Sequence, residues 1–149
     1  MQQLYQMRRW LFRRLRLRTR GVKVMLFNGR GELLLVRNSY GNRAAWLLPG
    51  GGIRPFEAPA KAAARELKEE TGLAADRLAL RSVHHSEAEG KRDTVHLFTA
   101  TANGAPKPDG REVEEARFFA LEALPDATSP ATRRRIDEYQ GKREIGTGW

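Results

Sequence analysis

Alternation of apolar and polar positions sets in at Gly21. Val22, Val24 and Leu26 interleave with Lys23, Met25 and Phe27, a β-rich run. Asn28-Gly29-Arg30-Gly31 is a turn signal, and Glu32–Arg37 (ELLLVR) reads as a second strand, so 22–37 is expected to form a hairpin. A polar, glycine-containing loop follows over 38–45. Trp46-Leu47-Leu48 predicts a short strand, stopped by Pro49-Gly50-Gly51-Gly52. Glu57–Thr71 is rich in Ala, Leu, Glu, Lys and Arg and predicts a helix. Pro59 falls in its first turn, and Gly72 stands where a left-handed cap belongs. Leu78–His85 and Thr94–Ala102 read as strands joined by a charged turn around Gly90. Asn103–Gly110 reads as a loop, Glu112–Ala120 as a strand and Pro130–Tyr139 as an amphipathic helix. Before all of this, Leu4, Met7, Leu11 and Leu15 recur at helical spacing among arginines, predicting a basic amphipathic helix over 4–16.

The 149 residues fit one domain with a core large enough to fold without staples. The absence of cysteine excludes a disulfide framework, a zinc–thiolate centre and a cysteine nucleophile, and fits a reducing compartment. The net charge of +9 suggests nucleic acid until its distribution is considered. Residues 1–20 carry seven arginines and no acid, leaving 20 basic against 18 acidic residues in the remaining chain, a net of +2. The basic character therefore belongs to an arm. The expected organisation is an arm over 1–20, a domain over 21–140 and a polar tail over 141–149. No run approaches the roughly 20 apolar residues of a membrane span, and arginines interrupt every candidate signal-peptide core. The expected location is cytoplasmic.

The chemistry concentrates on the helix after the glycine turn. At about 100° per residue, Glu66, Glu69 and Glu70 share one face about 100° wide. Ala60, Ala63, Ala64 and Leu67 are expected to form an adjacent buried face. Like charges at these spacings repel by a few tenths of a kcal/mol per pair, so the arrangement brings no structural gain. Most such clusters are solvated helix faces. A hard divalent cation, which prefers carboxylate oxygens, removes the objection. The glycines before the helix allow close approach of backbone to a phosphate or a metal.

Written out, residues 51–73 are Gly51, five residues, Glu57, seven residues, Arg65-Glu66-Leu67, one residue, Glu69-Glu70, one residue, Gly72-Leu73. This stretch resembles the Nudix box at every specified position. Trp46–Gly51 is similar to the W-x-x-P-G-G that leads into the box, and Ala116–Pro125 to the late strand and E-x-L-P segment of the family. The likeness covers roughly residues 20–137. It implies an α/β fold, a Nudix-type α/β/α sandwich around a mixed β-sheet. It also implies hydrolysis of a diphosphate linkage in a nucleoside diphosphate joined to another group, by water attack at phosphorus with Mg2+, or alternatively Mn2+.

By this resemblance Glu66, Glu69 and Glu70 are the metal ligands, joined by the carbonyl of Gly50 or Gly51. Glu66 or Glu69 serves instead as the general base in some members. Arg65 is expected to pair with Glu57 and hold the carboxylates. Gly51, Glu57 and Gly72 are the structural positions of the box. Glu112, with Glu115 second, is the candidate for a further ligand near the late strand. Departures from the family pattern include Phe56 before Glu57, where glycine is usual, and Arg54-Pro55 in the loop. Phe56 and Tyr40 are candidates for stacking on a base and Arg54 for meeting a phosphate. Trp46 and His85 are weaker stacking candidates. His84 and His85 do not suit one metal, because neighbours on a strand face opposite ways.

Residues 86–92 lack the proline or tyrosine markers of the subfamilies that cleave ADP-ribose or diadenosine polyphosphates. For the arm, packing on the domain or a homodimer partner ranks ahead of an anionic membrane surface or RNA. The rivals to a hydrolase of small nucleotides are a nucleotide-binding or RNA-end-binding module without turnover, and an RNA-end-processing enzyme.

Overall fold

The computed structural model describes residues 3–4, 18–87 and 92–149. The helix expected over 4–16, apart from residue 4, and the turn around Gly90 lie outside these. Five strands form one mixed sheet: β1 (Arg18–Phe27), β2 (Leu33–Asn38), β3 (Asp76–Ser86), β4 (Arg92–Thr101) and β5 (Val113–Phe119). Among the described residues, the helices α1 (Pro59–Thr71) and α2 (Pro130–Tyr139) pack on it. The sheet order is β3-β4-β1-β2-β5. The β1–β4 pair is parallel and the others antiparallel.

Alternation along the strands divides the core. Val22, Val24 and Leu26 of β1 pack with Leu34, Phe98 and Ala100 against Ala62, Ala63 and Leu67 of α1. Met25 and Phe27 point the other way and join Leu33, Leu35, Trp46 and Leu97 against Ile136 of α2. The expected α/β/α sandwich is therefore observed. Both helices start on proline at the first turn, where no donor is lost, and α2 is capped by the Ser129 side chain. Gly72 ends α1 at φ 73°, a left-handed conformation that glycine adopts without strain.

The hairpin differs from expectation in a way that builds the site. β1 and β2 pair only at Phe27 and Leu33. Beyond that point they part, and residues 47–51 enter the gap. Leu47 exchanges hydrogen bonds with Val36 on the β2 side, while the Val22 and Val24 N–H groups donate to the carbonyls of Gly51 (2.9 Å) and Pro49 (3.0 Å) on the β1 side. The segment read as the strand Trp46–Leu48 is thus a wedge between two strands, with only isolated bridges. The short glycine-rich run satisfies strand donors that would otherwise be left unpaired.

The segment after α2 also differs from a free polar tail. His85 of β3 receives a hydrogen bond on its carbonyl from Trp149 N–H and donates its own N–H to Thr147 O. The Trp149 ring lies edge-on to His84 at 5.7 Å. Beneath it Arg135, 1% exposed, bonds His84 Nδ1, the Gly148 carbonyl and Glu138. Residues 146–149 therefore cover the outer edge of β3, which a bare edge strand would expose.

Candidate active site

The wedge and α1 bring the site together. Gly50 has φ 144°, and a Cβ there would lie 2.1 Å from the Val22 carbonyl oxygen. Only glycine fits. A Cβ on Gly51 would lie 2.6 Å from the Glu66 carboxylate, so the missing side chain is the space Glu66 occupies. The carbonyls of Pro49 and Gly51 are taken by β1. That of Gly50 has no backbone partner among the described residues. Of the two carbonyls expected as ligands, Gly50 is the one left available.

Arg65 organises the carboxylates. Its Nε and Nη2 donate to both oxygens of Glu57 at 2.8 Å, the bidentate pair expected from the box. Nη2 also donates to Gly52 O at 3.0 Å, and Nη1 to Glu66 at 2.8 Å and Glu69 at 3.3 Å. The Arg65 bonds, with the Arg54 N–H, hold the Glu57 carboxyl down to about 2, and the Glu57 and Glu66 carboxylates raise the guanidinium pKa. Glu69 is the outermost of the set, half-exposed, with the Arg54 guanidinium 3.5 Å away.

Glu70 lies deepest, 5% exposed, and accepts a hydrogen bond from Gly50 N–H at 3.0 Å. Burial pushes its carboxyl up to about 7, against the pull of Lys23 and the Gly50 N–H. Burial also raises Glu66, with Arg65 opposing. The charges of Glu66 and Glu112 push Glu70 further up, and those of Glu69 and Glu112 do the same to Glu66. Two desolvated carboxylates and a third acidic group therefore act on one another electrostatically, a set of hard oxygen donors of like charge. Such a set suits a divalent cation. Among the described residues no three acidic or imidazole groups already converge on one point, and Glu66 and Glu69 are bonded to Arg65.

Glu112 stands in the loop before β5, near enough for its charge to raise Glu66 and Glu70. Lys107 N–H and Asp109 N–H donate to the Thr71 and Glu70 carbonyls at the end of α1. The Asp109 carboxylate then accepts the N–H groups of Arg111, Glu112 and Val113. Glu115, the second candidate, lies elsewhere. It is bound by Arg37 at 2.5 Å across the β2–β5 pair and by Arg117 at 2.6 Å.

Lys23 was not expected at the site. Its Nζ donates to the Leu48 carbonyl at 2.9 Å, tying the side chain of β1 to the residue before the glycine turn. Burial lowers its pKa, while the charges of Glu70 and Glu66 raise it. The one signal in the sequence is a lysine among Val22, Val24 and Met25, which also reads as the polar phase of an ordinary strand.

The remaining candidates scatter. Phe56 and Arg54 stand at the loop tip beside Glu57, and Tyr40 lies in the loop after β2. Trp46 is a core residue, edge-on to Phe119 at 4.9 Å. His84 is fully buried beneath Trp149, and His85 is engaged with the C-terminal segment.

A family model for the NUDIX domain matches residues 17–139. The chain is 37% identical over 125 residues to an isopentenyl-diphosphate Delta-isomerase of Streptomyces griseus, covering 75% of this chain and 62% of that protein. The chain thus spans less than two thirds of that relative. It is 31% identical over 123 residues to a Bacillus subtilis protein provisionally named 8-oxo-dGTP diphosphatase, covering 82% of this chain and 80% of that protein. A solved structure of a MutT NUDIX hydrolase from Burkholderia pseudomallei superposes with a TM-score of 0.72 at 27% identity, covering 81% of this chain and 97% of the other.

Proposed function

The chain belongs to the NUDIX domain family, and from that premise we propose that it hydrolyses a diphosphate linkage in a nucleoside diphosphate joined to another group, with a divalent cation, Mg2+ or Mn2+. The observation that carries this reading is the buried Glu70 beside the part-buried Glu66, set against the Gly50 turn, with the charge of Glu112 acting on both. A cation there would be held by Glu66 and Glu70 with the Gly50 carbonyl, Glu112 nearby, leaving Glu69 outside the ligand set. It would neutralise charge building on the phosphoryl oxygens and lower the pKa of a bound water. The names of the two relatives support a diphosphate as the shared chemistry, one carrying it in its substrate and the other in its reaction.

In the hydrolysis, a water oxygen forms a new bond to phosphorus, the bridging P–O bond breaks, and the leaving group departs with a phosphate oxygen. The water proton passes to a carboxylate. Glu69 suits that role better than Glu66, because it is half-exposed while Glu66 is packed against Gly51 and Arg65. Arg65 does no chemistry. It fixes the orientation of Glu66 and Glu69 by bonding both, with Glu57 as its anchor. Lys23 holds the turn through Leu48 and supplies positive charge beside Glu70.

The test is a panel of nucleoside diphosphate derivatives, 5′-triphosphorylated RNA and isopentenyl diphosphate, each with Mg2+ and with Mn2+. Phosphate, pyrophosphate and nucleoside monophosphate are measured. Cation-dependent release from a nucleotide, reduced at least about 100-fold in Glu70→Gln, supports the reading. Rearrangement of isopentenyl diphosphate without phosphate release, or tight nucleotide binding without turnover, overturns it.

A further inference from the structure

The loop between Gly52 and α1 carries a feature that the fold does not explain. Arg54-Pro55-Phe56-Glu57 is a tight turn, closed by a hydrogen bond from Glu57 N–H to Arg54 O at 3.1 Å. Proline occupies the second position, and Phe56, in the third, has φ 62°. A positive φ at the third position is the geometry of a type II turn, which favours glycine and strains any residue with a Cβ. Both ends of the turn are locked. Arg54 N–H donates to Glu57 Oε1 at 3.0 Å, and Arg65 clamps the same carboxylate with two bonds. The phenyl ring returns nothing for the strain, since Phe56 is fully exposed. A strained residue held by its surroundings, with its ring bonded or stacked to nothing among the described residues, is a mark of function more than of folding.

The position of the ring indicates its use. One guanidinium, that of Arg65, bonds both Glu57 and Glu66, so the turn stands within a nucleotide's length of the carboxylate cluster. Between them lies the exposed Arg54 guanidinium, 3.5 Å from Glu69. An exposed aromatic ring on a locked backbone turn, an arginine and an acidic cluster stand at one end of the site, the chemistries a base–diphosphate–cation ligand presents. We infer that Phe56 is a specificity-determining residue, the platform on which the planar base of the substrate stacks while its diphosphate lies at the Glu66–Glu70 cluster. This rests on the hydrolase reading for the position of the diphosphate.

The test separates the two. In the full chain with Mg2+, calorimetry compares the α,β-methylene analogues of adenosine, guanosine, cytidine and uridine diphosphate with methylenediphosphonate, which has no base. Wild type, Phe56→Gly and Phe56→Tyr are titrated. The expected result is that Phe56→Gly weakens the preferred nucleotide about 5–150-fold, the range of base–aromatic stacking, and leaves methylenediphosphonate unchanged. Phe56→Tyr retains the affinity, and Phe56→Gly melts no lower than wild type. The inference is overturned if Phe56→Gly binds the nucleotide as wild type does, if it loses both ligands equally, or if no nucleotide binds wild type better than methylenediphosphonate. Loss of self-association without loss of base affinity would also overturn it, assigning the ring to a second copy of the chain. Stacking without turnover in wild type would sink the hydrolase reading and leave this one standing.

Discussion

Glu69 and Glu70 are neighbours in sequence and opposite in circumstance. The first reaches solvent between two arginines; the second is desolvated under the Gly50 turn. A buried carboxylate without a direct ionic partner destabilises the metal-free fold. Glu70→Gln keeps an oxygen to accept the Gly50 N–H and removes the charge. In chelator-treated protein it is expected to raise stability by about 1 kcal/mol, read by chemical denaturation, while abolishing turnover. A fall in stability would show that Lys23 and Gly50 more than compensate the buried charge. Lys23 itself was not legible from the sequence. In an alternating strand a lysine is the expected outward residue, and nothing local says that a loop will cover it.

At the scale of the element, α1 was the most legible part of the chain. Its spacing places Leu67 and Ala63 toward the sheet and Glu66 and Glu70 toward the turn, as observed, but Ala60, expected on the buried face, is exposed and Ala62 is buried there instead. Leu67→Ala leaves a cavity between α1 and β1 and should cost about 2–5 kcal/mol in unfolding free energy. Arg65→Lys cannot make the bidentate bond to Glu57 and still reach Glu66 and Glu69. It should lower kcat/KM about 10–100-fold with little change in the melting midpoint. An equal loss in both would make Arg65 a folding residue only. The hairpin and the Trp46–Leu48 strand were less legible. Apolar alternation records which face a strand buries but not which neighbour it pairs with. The parting of β1 and β2 therefore left no trace in the pattern. The same holds for Glu112 and Glu115: their spacing fits either role, and the difference is made by Arg37, far away in sequence.

For the whole molecule, the polar network under residues 146–149 sets an acid limit. Burial, and then Arg135, lower the pKa of His84 from its ordinary 6.5. The unfolded chain thus binds the proton more readily than the folded one. The stability His84 contributes is full above about pH 6.5 and falls as pH drops from there toward the lowered folded value. Denaturation midpoints of wild type should decline across that window, and those of His84→Gln should decline less. Equal slopes would remove His84 from the acid response. Truncation after Gln140 should uncover the β3 edge and yield concentration-dependent association in sedimentation. A monomer at all concentrations would show that the segment is dispensable as an edge cover. Neither role was visible in a stretch whose only apolar side chains are Ile145 and Trp149.

The wedge between β1 and β2 has one further consequence. The amide protons of Val22, Val24 and Val36 belong to strands, yet their acceptors are Gly51, Pro49 and Leu47 of the loop. Their exchange with deuterium reports whether the loop is seated, not whether the sheet is folded. These three protons form an internal gauge of site assembly, readable without substrate, cation or turnover. A variant that loses activity while they stay protected has lost chemistry; one in which they alone begin to exchange has lost the architecture that chemistry stands on.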